Sequence, residues 1–434
     1  MRKIHRKISI LLILVLLVVS ITACKPAEET ETEAQQIEDD SETQPEEEEE
    51  AVEEPAELSG SIDFWVYEPD AGKPEAAEAL DTLKADFEAA NPGTTINIVQ
   101  VPKNDFNTKL NAAIVAGTSP DASYLDQPLV ARFALDGVLA QIPSGLLDES
   151  TLYQGALNTN RVDGTLYGLP ISQTCIALYY NKDLVPNPPT TWDELIVIAE
   201  EVYDPENQIA AMEVPRGGWA AWIFPAFVAT AGGTMLDEAN QVVTFGEQPA
   251  IDALTLWTTL SVYSPKEITD SENSFQTGHT AMKLSGPWEI DGLRNDWPDF
   301  NWGVTLVPAN VANGSNIGGD NTVVYSTSEN QSLAWAWLKF LTDPEPNLLI
   351  SRDVMGNFPI NLADATGSWV DDNEALLIFM EQMKSAQARP THPDWLQIND
   401  ELVATAIDDA IDNGIDPATA LHDAAEKAKE LLGW

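Results

Sequence analysis

The chain has 434 residues with 70 acidic against 22 basic side chains, a formal charge of −48, and only 2 cysteines. So large an acidic surplus argues against nucleic acid as a partner and against broad adhesion to anionic lipid. The length exceeds what one hydrophobic core usually serves, so two lobes are expected. At the start, Arg2, Lys3, Arg6 and Lys7 precede an unbroken apolar run from Ile10 to Val19. A basic segment followed by a short apolar one has the form of a secretory signal peptide. The run is shorter than the roughly 20 residues that span a bilayer.

That run ends in Ile21-Thr22-Ala23-Cys24, which resembles a bacterial lipobox. The resemblance implies cleavage after residue 23 and acylation of Cys24, a tether to the lipid bilayer; two acyl chains suffice for stable anchoring. Residues 25–58 then carry 16 acids against the single Lys25, including Glu46 to Glu50 in a row, and no aromatic residue. Such a segment buries too little apolar surface to offset its ordering entropy, and its charges extend it. Residues 24–58 are therefore expected to form a lipidated, disordered linker. Cys175 is the other cysteine, so an acylated Cys24 leaves no pair for an intrachain disulfide.

From residue 59 the pattern changes. "SIDFWVYEP" alternates Ile62, Phe64 and Val66 with period two, which predicts a strand. "PEAAEALDTLKADFEAANPG" places Leu80, Leu83 and Phe87 on one helical face and stops at Asn91-Pro92-Gly93. "TTINIVQVP" reads as strand, "FNTKLNAAIVAGTSPD" as helix and "ASYLD" as strand again. This alternation predicts right-handed crossovers and a largely parallel sheet, an α/β fold. Further helices are expected near 191–203, 218–231 and 247–263. The C-terminal third reads as mostly helical, with Asp416 a natural N-cap before Pro417.

Motifs for bound metal or phosphate are weak. The four histidines (5, 279, 392 and 422) are far apart, and no Cys-x-x-Cys or Walker lysine motif occurs. In "DDAIDNGID" an EF-hand loop starting at Asp409 would put Gly414 correctly, but Ile411 and Ala420 fall where oxygen ligands belong. No cofactor is expected. A carboxylate pair for glycoside hydrolysis has too many candidates among the acids for any to stand out.

Three stretches, "LYYNKDLVPNPPTTWDEL" (178–195), "FQTGHTAMKLSGPWEI" (275–290) and "LAWAWLKFLTDPEP" (333–346), together resemble the extracellular solute-binding proteins of bacterial carbohydrate ABC importers, the maltose-binding-protein-like family. "AGTSPDASYLD" (116–126) and "DGTLYGLPIS" (163–172) fit the same family in the same order. The resemblance implies a clamp of two α/β lobes with interlobe crossing strands. Residues 59–171 and 306–332 would form the first lobe, 174–303 and 347–434 the second, and 333–346 a helical crossover. Crossings would fall near Ser172-Gln173 and Val304-Thr305. It further implies a monomeric receptor without catalysis, which captures a sugar and delivers it to a transmembrane permease. A polyamine, glycerol phosphate or metal chelate in the same fold is the alternative, and a secreted glycosidase a more distant one.

A pyranose offers an apolar face that stacks on flat rings and a belt of hydroxyls that bridges carboxylates and amides. Among the 13 tryptophans, Trp288 in "SGPWEI" matches the family's stacking position, with Trp395 in "PTHPDWLQ" a second platform. Trp219 or Trp222 in "RGGWAAWIF" is expected as a third. Core packing is the competing role for each. For hydroxyls the candidates are Asp126, otherwise a helix cap, and Tyr67 and Glu68 at the end of the first strand, otherwise a solvated loop. Asp320 joins them because Gly318-Gly319 would let ligand approach the backbone; an ordinary turn is its alternative. Thr174 stands where maltose-binding protein offers a carboxylate, and Leu125 where a tryptophan is expected, so the sugar need not be maltose.

Overall fold

The computed structural model describes residues 58–68, 74–361 and 367–434. The leader, Cys24 and residues 25–57 lie outside the described residues. Strand Gly60–Tyr67 buries Ile62, Phe64 and Val66, while of the alternate positions Ser61 and Asp63 are exposed and Trp65 and Tyr67 half-buried. Helix Pro74–Ala90 covers it with Leu80, Leu83 and Phe87, all buried. Strands Thr94–Val101 and Ala122–Asp126 flank it in parallel, joined through helix Lys103–Ala116.

The five-stranded sheet of the first lobe runs, in order, Thr94–Val101, Gly60–Tyr67, Ala122–Asp126, Asp320–Val324 and Gly168–Pro170. One member breaks the parallel order: Asp320–Val324 runs antiparallel to both of its neighbours. This strand returns from the other lobe, so no helical crossover constrains its direction. Helix Gln331–Thr342 packs Leu333, Trp335, Trp337, Leu338 and Leu341 into the same core, which continues to Ile350. The expected helical crossover at 333–346 is thus part of the first lobe, because its apolar face completes that core.

The second lobe has a sheet in the order Trp302–Thr305, Ala177–Asn181, Thr280–Ser285, Ala210–Met212. A small sheet of Ala386–Ala388, Ser315–Gly318 and Thr174–Cys175 lies beside it. Helices Trp192–Val202, Gly217–Thr230, Gln248–Ser261, Ala404–Asp412 and Pro417–Leu432 enclose its core. "TTWDEL" begins its helix with a capping box: Glu194 N–H donates to Thr191 Oγ1 at 3.2 Å and the Glu194 carboxylate accepts from Thr191 N–H at 3.3 Å. Asp416 caps the last helix by accepting from Thr419 N–H at 3.0 Å. Among the described residues no helix is long and apolar enough to cross a membrane.

The crossings correct one expected boundary. Ser172-Gln173 connects Gly168–Pro170 of the five-stranded sheet to Thr174–Cys175 of the small sheet. The second crossing lies at Gly318–Asp320, not at Val304-Thr305. Val304 and Thr305 still pair with Tyr179 and Leu178, Val307 sits in the second core, and Ser315–Gly318 pairs with Thr174–Cys175. Residues 306–318 therefore belong to the second lobe. The two crossings touch closely. Gly319 has φ +122°, and a Cβ there would lie 2.3 Å from Ser172 O. Ser172 Oγ accepts from Asp320 N–H and from Asn357 Nδ2, both at 3.3 Å. Gln173 and Phe358 exchange backbone hydrogen bonds of 3.0 and 2.9 Å, which brings a third segment to the junction.

Candidate functional site

The second lobe contributes three indoles. Trp219 and Trp222 lie one turn apart on helix Gly217–Thr230, so their side chains share a face. Their rings stack with centroids 5.2 Å apart and planes at 7°. Trp288 follows strand Thr280–Ser285 and meets both rings edge-on, at 6.4 and 6.1 Å. The start of the tryptophan helix is held in place from the C-terminal helices: Asp408 accepts from Gly217 N–H at 3.0 Å, and Asp412 pairs with Arg216 at 3.0 Å and Lys266 at 2.6 Å. The acidic "DDAIDNGID" thus anchors a helix terminus, where carboxylates complement the exposed N–H groups. Trp219 stays 38 % exposed, whereas Trp257 and Trp337 elsewhere are wholly buried. Solvent access separates a platform from core filling.

The first lobe contributes Tyr67, Asp126 and Asp320, close together because residues 126 and 320 are register partners and strand Gly60–Tyr67 is next in the sheet. Tyr67 Oη donates to Asp320 Oδ1 at 3.0 Å, and Lys103 Nζ lies 5.3 Å from the Tyr67 ring centroid. Burial pushes the Asp320 carboxyl above the usual carboxylate range; Asp126 adds to the rise, while Lys103, Tyr67 and Arg389 oppose it. Burial, with Asp320 and Asp126 beside it, holds the Tyr67 phenol protonated well above its ordinary range. Glu68 is exposed at the strand end, its backbone N–H bonded to Val101 O.

What joins the two sets is Arg389, which the sequence reading passes over in favour of the "PTHPDWLQ" that follows it. Its guanidinium donates to Asp126 at 2.6 and 3.4 Å across the lobes and lies over the Trp222 ring, 5.9 Å from the centroid. Only 6 % of Arg389 is exposed, and its Nε has no partner among the described residues. Asp126 begins helix Gln127–Leu135 but makes no capping hydrogen bond, since its carboxylate is turned to the arginine. Asp400 stands near the same pair; burial raises its carboxyl, Asp126 adds to the rise and Arg389 opposes it. A lone arginine before proline in so acidic a chain was the available signal.

Two expectations about this region change. Trp395 is not an open platform: it is fully buried in the second core with Ile398 and Val403, because the segment it starts folds back under the tryptophan helix. Beside it, Asp394 accepts from Arg132 Nη1 of helix Gln127–Leu135 at 3.2 Å, a second interlobe ion pair. The paired glycines serve the protein's own packing. A Cβ on Gly318 would lie 2.7 Å from Trp222 Cζ2, and Gly319 makes room for Ser172. Glycine here lets the tryptophan and the crossing strands approach the backbone. Tyr67, Asp126, Trp222, Trp288 and Asp320 thus form one continuous set with Trp219 and Arg389, at strand ends where open α/β sheets place their crevices.

The sequence profile of the bacterial extracellular solute-binding proteins matches residues 82–377. The chain belongs to this family. As a solute-binding protein it is 24% identical over 335 residues to the maltotriose-binding protein of Pyrococcus abyssi, covering 74% of this chain and 72% of that one. It is 25% identical over 341 residues to the galactooligosaccharide-binding protein of Bacillus subtilis, covering 72% and 77%. Among solved structures it is similar to an ABC substrate-binding protein of Listeria monocytogenes in complex with cycloalternan, with TM-score 0.77, 23% identity and coverage of 87% and 100%. That likeness establishes the two-lobed fold.

Proposed function

We propose that this solute-binding protein is a lipid-anchored receptor that captures an oligosaccharide between its lobes and delivers it to the permease of an ABC importer, without catalysis. The observation that carries the reading is the pairing of three indoles with Arg389, Asp126 and Asp320. Flat apolar rings suit the C–H faces of pyranoses, and charged donors and acceptors suit their hydroxyls. The relatives' own ligands, maltotriose and galactooligosaccharide, support this class. Asp126 pairs with Arg389 and Asp320 accepts from Tyr67, which fixes the orientation of both carboxylates for accepting from sugar hydroxyls. Anchoring rests on the lipobox-like residues before Cys24 and on the acidic linker.

A thermal-shift screen of neutral oligosaccharides tests the ligand class. A ligand at about 100 times its dissociation constant adds about 2.7 kcal/mol of stability. Stabilisation by a polyamine and by no sugar would favour the carboxylates Asp126, Asp320 and Asp400 as a cation site instead. Turnover of a labelled oligosaccharide would establish an enzyme. Metabolic labelling with a palmitate analogue tests the anchor: Cys24→Ser is expected to lose the label, and equal labelling of both forms would refute it.

A further inference from the structure

Two ion pairs run between the lobes, and both use the same helix of the first. Asp126, at the start of helix Gln127–Leu135, accepts from Arg389 Nη2 at 2.6 Å. Arg132, in the body of that helix, donates from Nη1 to Asp394 Oδ1 at 3.2 Å. Six positions separate the two helix residues, about 9 Å along the axis. The polarity alternates: the first lobe offers an acid and then a base, the second a base and then an acid. The chain has 22 basic side chains against 70 acidic, so two of its few cations are placed where the lobes meet.

Each side of this contact is held by its own lobe. The helix buries Val130, Phe133 and Ala134 in the first core. On the other side, strand Ala386–Ala388 pairs with Ser315–Ile317, and Trp395 is buried in the second core. Between them, the Glu238 carboxylate accepts from Thr391 N–H at 2.7 Å and from its hydroxyl at 3.2 Å, which fixes the segment that carries Arg389 and Asp394. A single contact would act as a pivot about which the lobes could still turn, whereas two contacts spaced along a helix resist that turning. Every atom in both pairs is the protein's own, so the contact needs no bound solute. We propose that Asp126–Arg389 and Arg132–Asp394 form a latch that holds the lobes together before any ligand enters. Opening then requires both pairs to break, and the latch sets the fraction of molecules able to admit a ligand. The inference is independent of which solute is bound.

The test is the distance between two spin labels on the full chain with no solute added, measured by double electron–electron resonance. Val115→Cys in the first lobe and Val262→Cys in the second supply the labelling positions, since both side chains are exposed and Cys175 is buried. Labelling the chain without these two changes gives the background. The labelled parent is expected to show one population, at the separation these positions have in the structure. Arg132→Asp makes the half-exposed pair repulsive without touching either core, and should raise the ratio of a longer-distance population to the short one about fivefold. Adding Asp394→Arg restores the pair with its polarity reversed and should recover the short distance; loss of the Arg132 contact with Asp136 alone would not be reversed in this way. Arg389→Gln should raise the same ratio at least about tenfold, and if it folds poorly, Asp126→Asn removes that pair from the other side. A long distance in the parent overturns the latch. So does an unchanged distribution on removal of either pair, or a lengthening that Asp394→Arg fails to reverse.

Discussion

Replacing Arg389 by glutamine removes the charge that joins the lobes while keeping much of the side chain's length. The guanidinium is 5 % exposed and the Asp126 carboxylate 29 %, and they meet through contacts of 2.6 and 3.4 Å. Fully exposed pairs contribute about 0.2–1 kcal/mol, while breaking a fully buried pair costs about 3–5 kcal/mol. With one partner buried and the other partly solvated, the coupling should be about 1.5–3 kcal/mol. A double-mutant cycle of Arg389→Gln and Asp126→Asn, followed by urea unfolding without ligand, measures it. Arg389→Lys keeps the charge but loses the planar fork and its stacking on Trp222, so it should recover less than half of the loss. A coupling below about 0.5 kcal/mol would refute the reasoning, since it would be that of a pair standing in solvent.

Trp288→Ala should weaken binding of the ligand found by the screen. Losing a stacked ring face of roughly 60–100 Å² costs about 1.5–2.5 kcal/mol, on the order of ten- to seventyfold in affinity; titration showing normal affinity in a folded variant would remove Trp288 from the site. Gly319→Ala should destabilise the apo protein by about 2–4 kcal/mol, because its backbone conformation and the nearby Ser172 O both resist a Cβ; an unchanged urea midpoint would show that the crossing strands can part. Asp320 has its folded pKa raised by burial, so its unfavourable contribution is absent below the unfolded pKa and grows as pH rises through the folded one. Asp320→Asn should therefore melt higher than the wild type at neutral pH, with the difference shrinking as pH falls towards about 4, and melting curves across that range check the sign.

Much of the fold is legible along the chain. The strand at residues 60–67, the helix at 74–90 and the strand at 94–101 are each fixed by a local hydrophobic period, and the caps at Thr191 and Asp416 by side chains within four residues of the groups they bond. Lobe membership is different. Residues 306–318 and 331–350 carry no local mark of the lobe they join. Val307 and Trp337 are equally apolar, and which core each enters depends on strand pairing with Thr174–Cys175 and Ala122–Asp126.

The site divides in the same way. The sequence alone determined which residue types were on offer: tryptophans near 219–222 and at 288, and acids at strand ends 126 and 320. Exposure and distance were decided only by tertiary structure. Trp288 and Trp395 each follow a proline-containing turn, yet one remains half-buried among indoles and the other is enclosed by Ile398 and Val403. Arg389 meets Asp126 across 263 positions of chain. Local propensity acts over a few residues, whereas an ion pair between lobes exists only once both cores have formed and the crossing strands have set their separation.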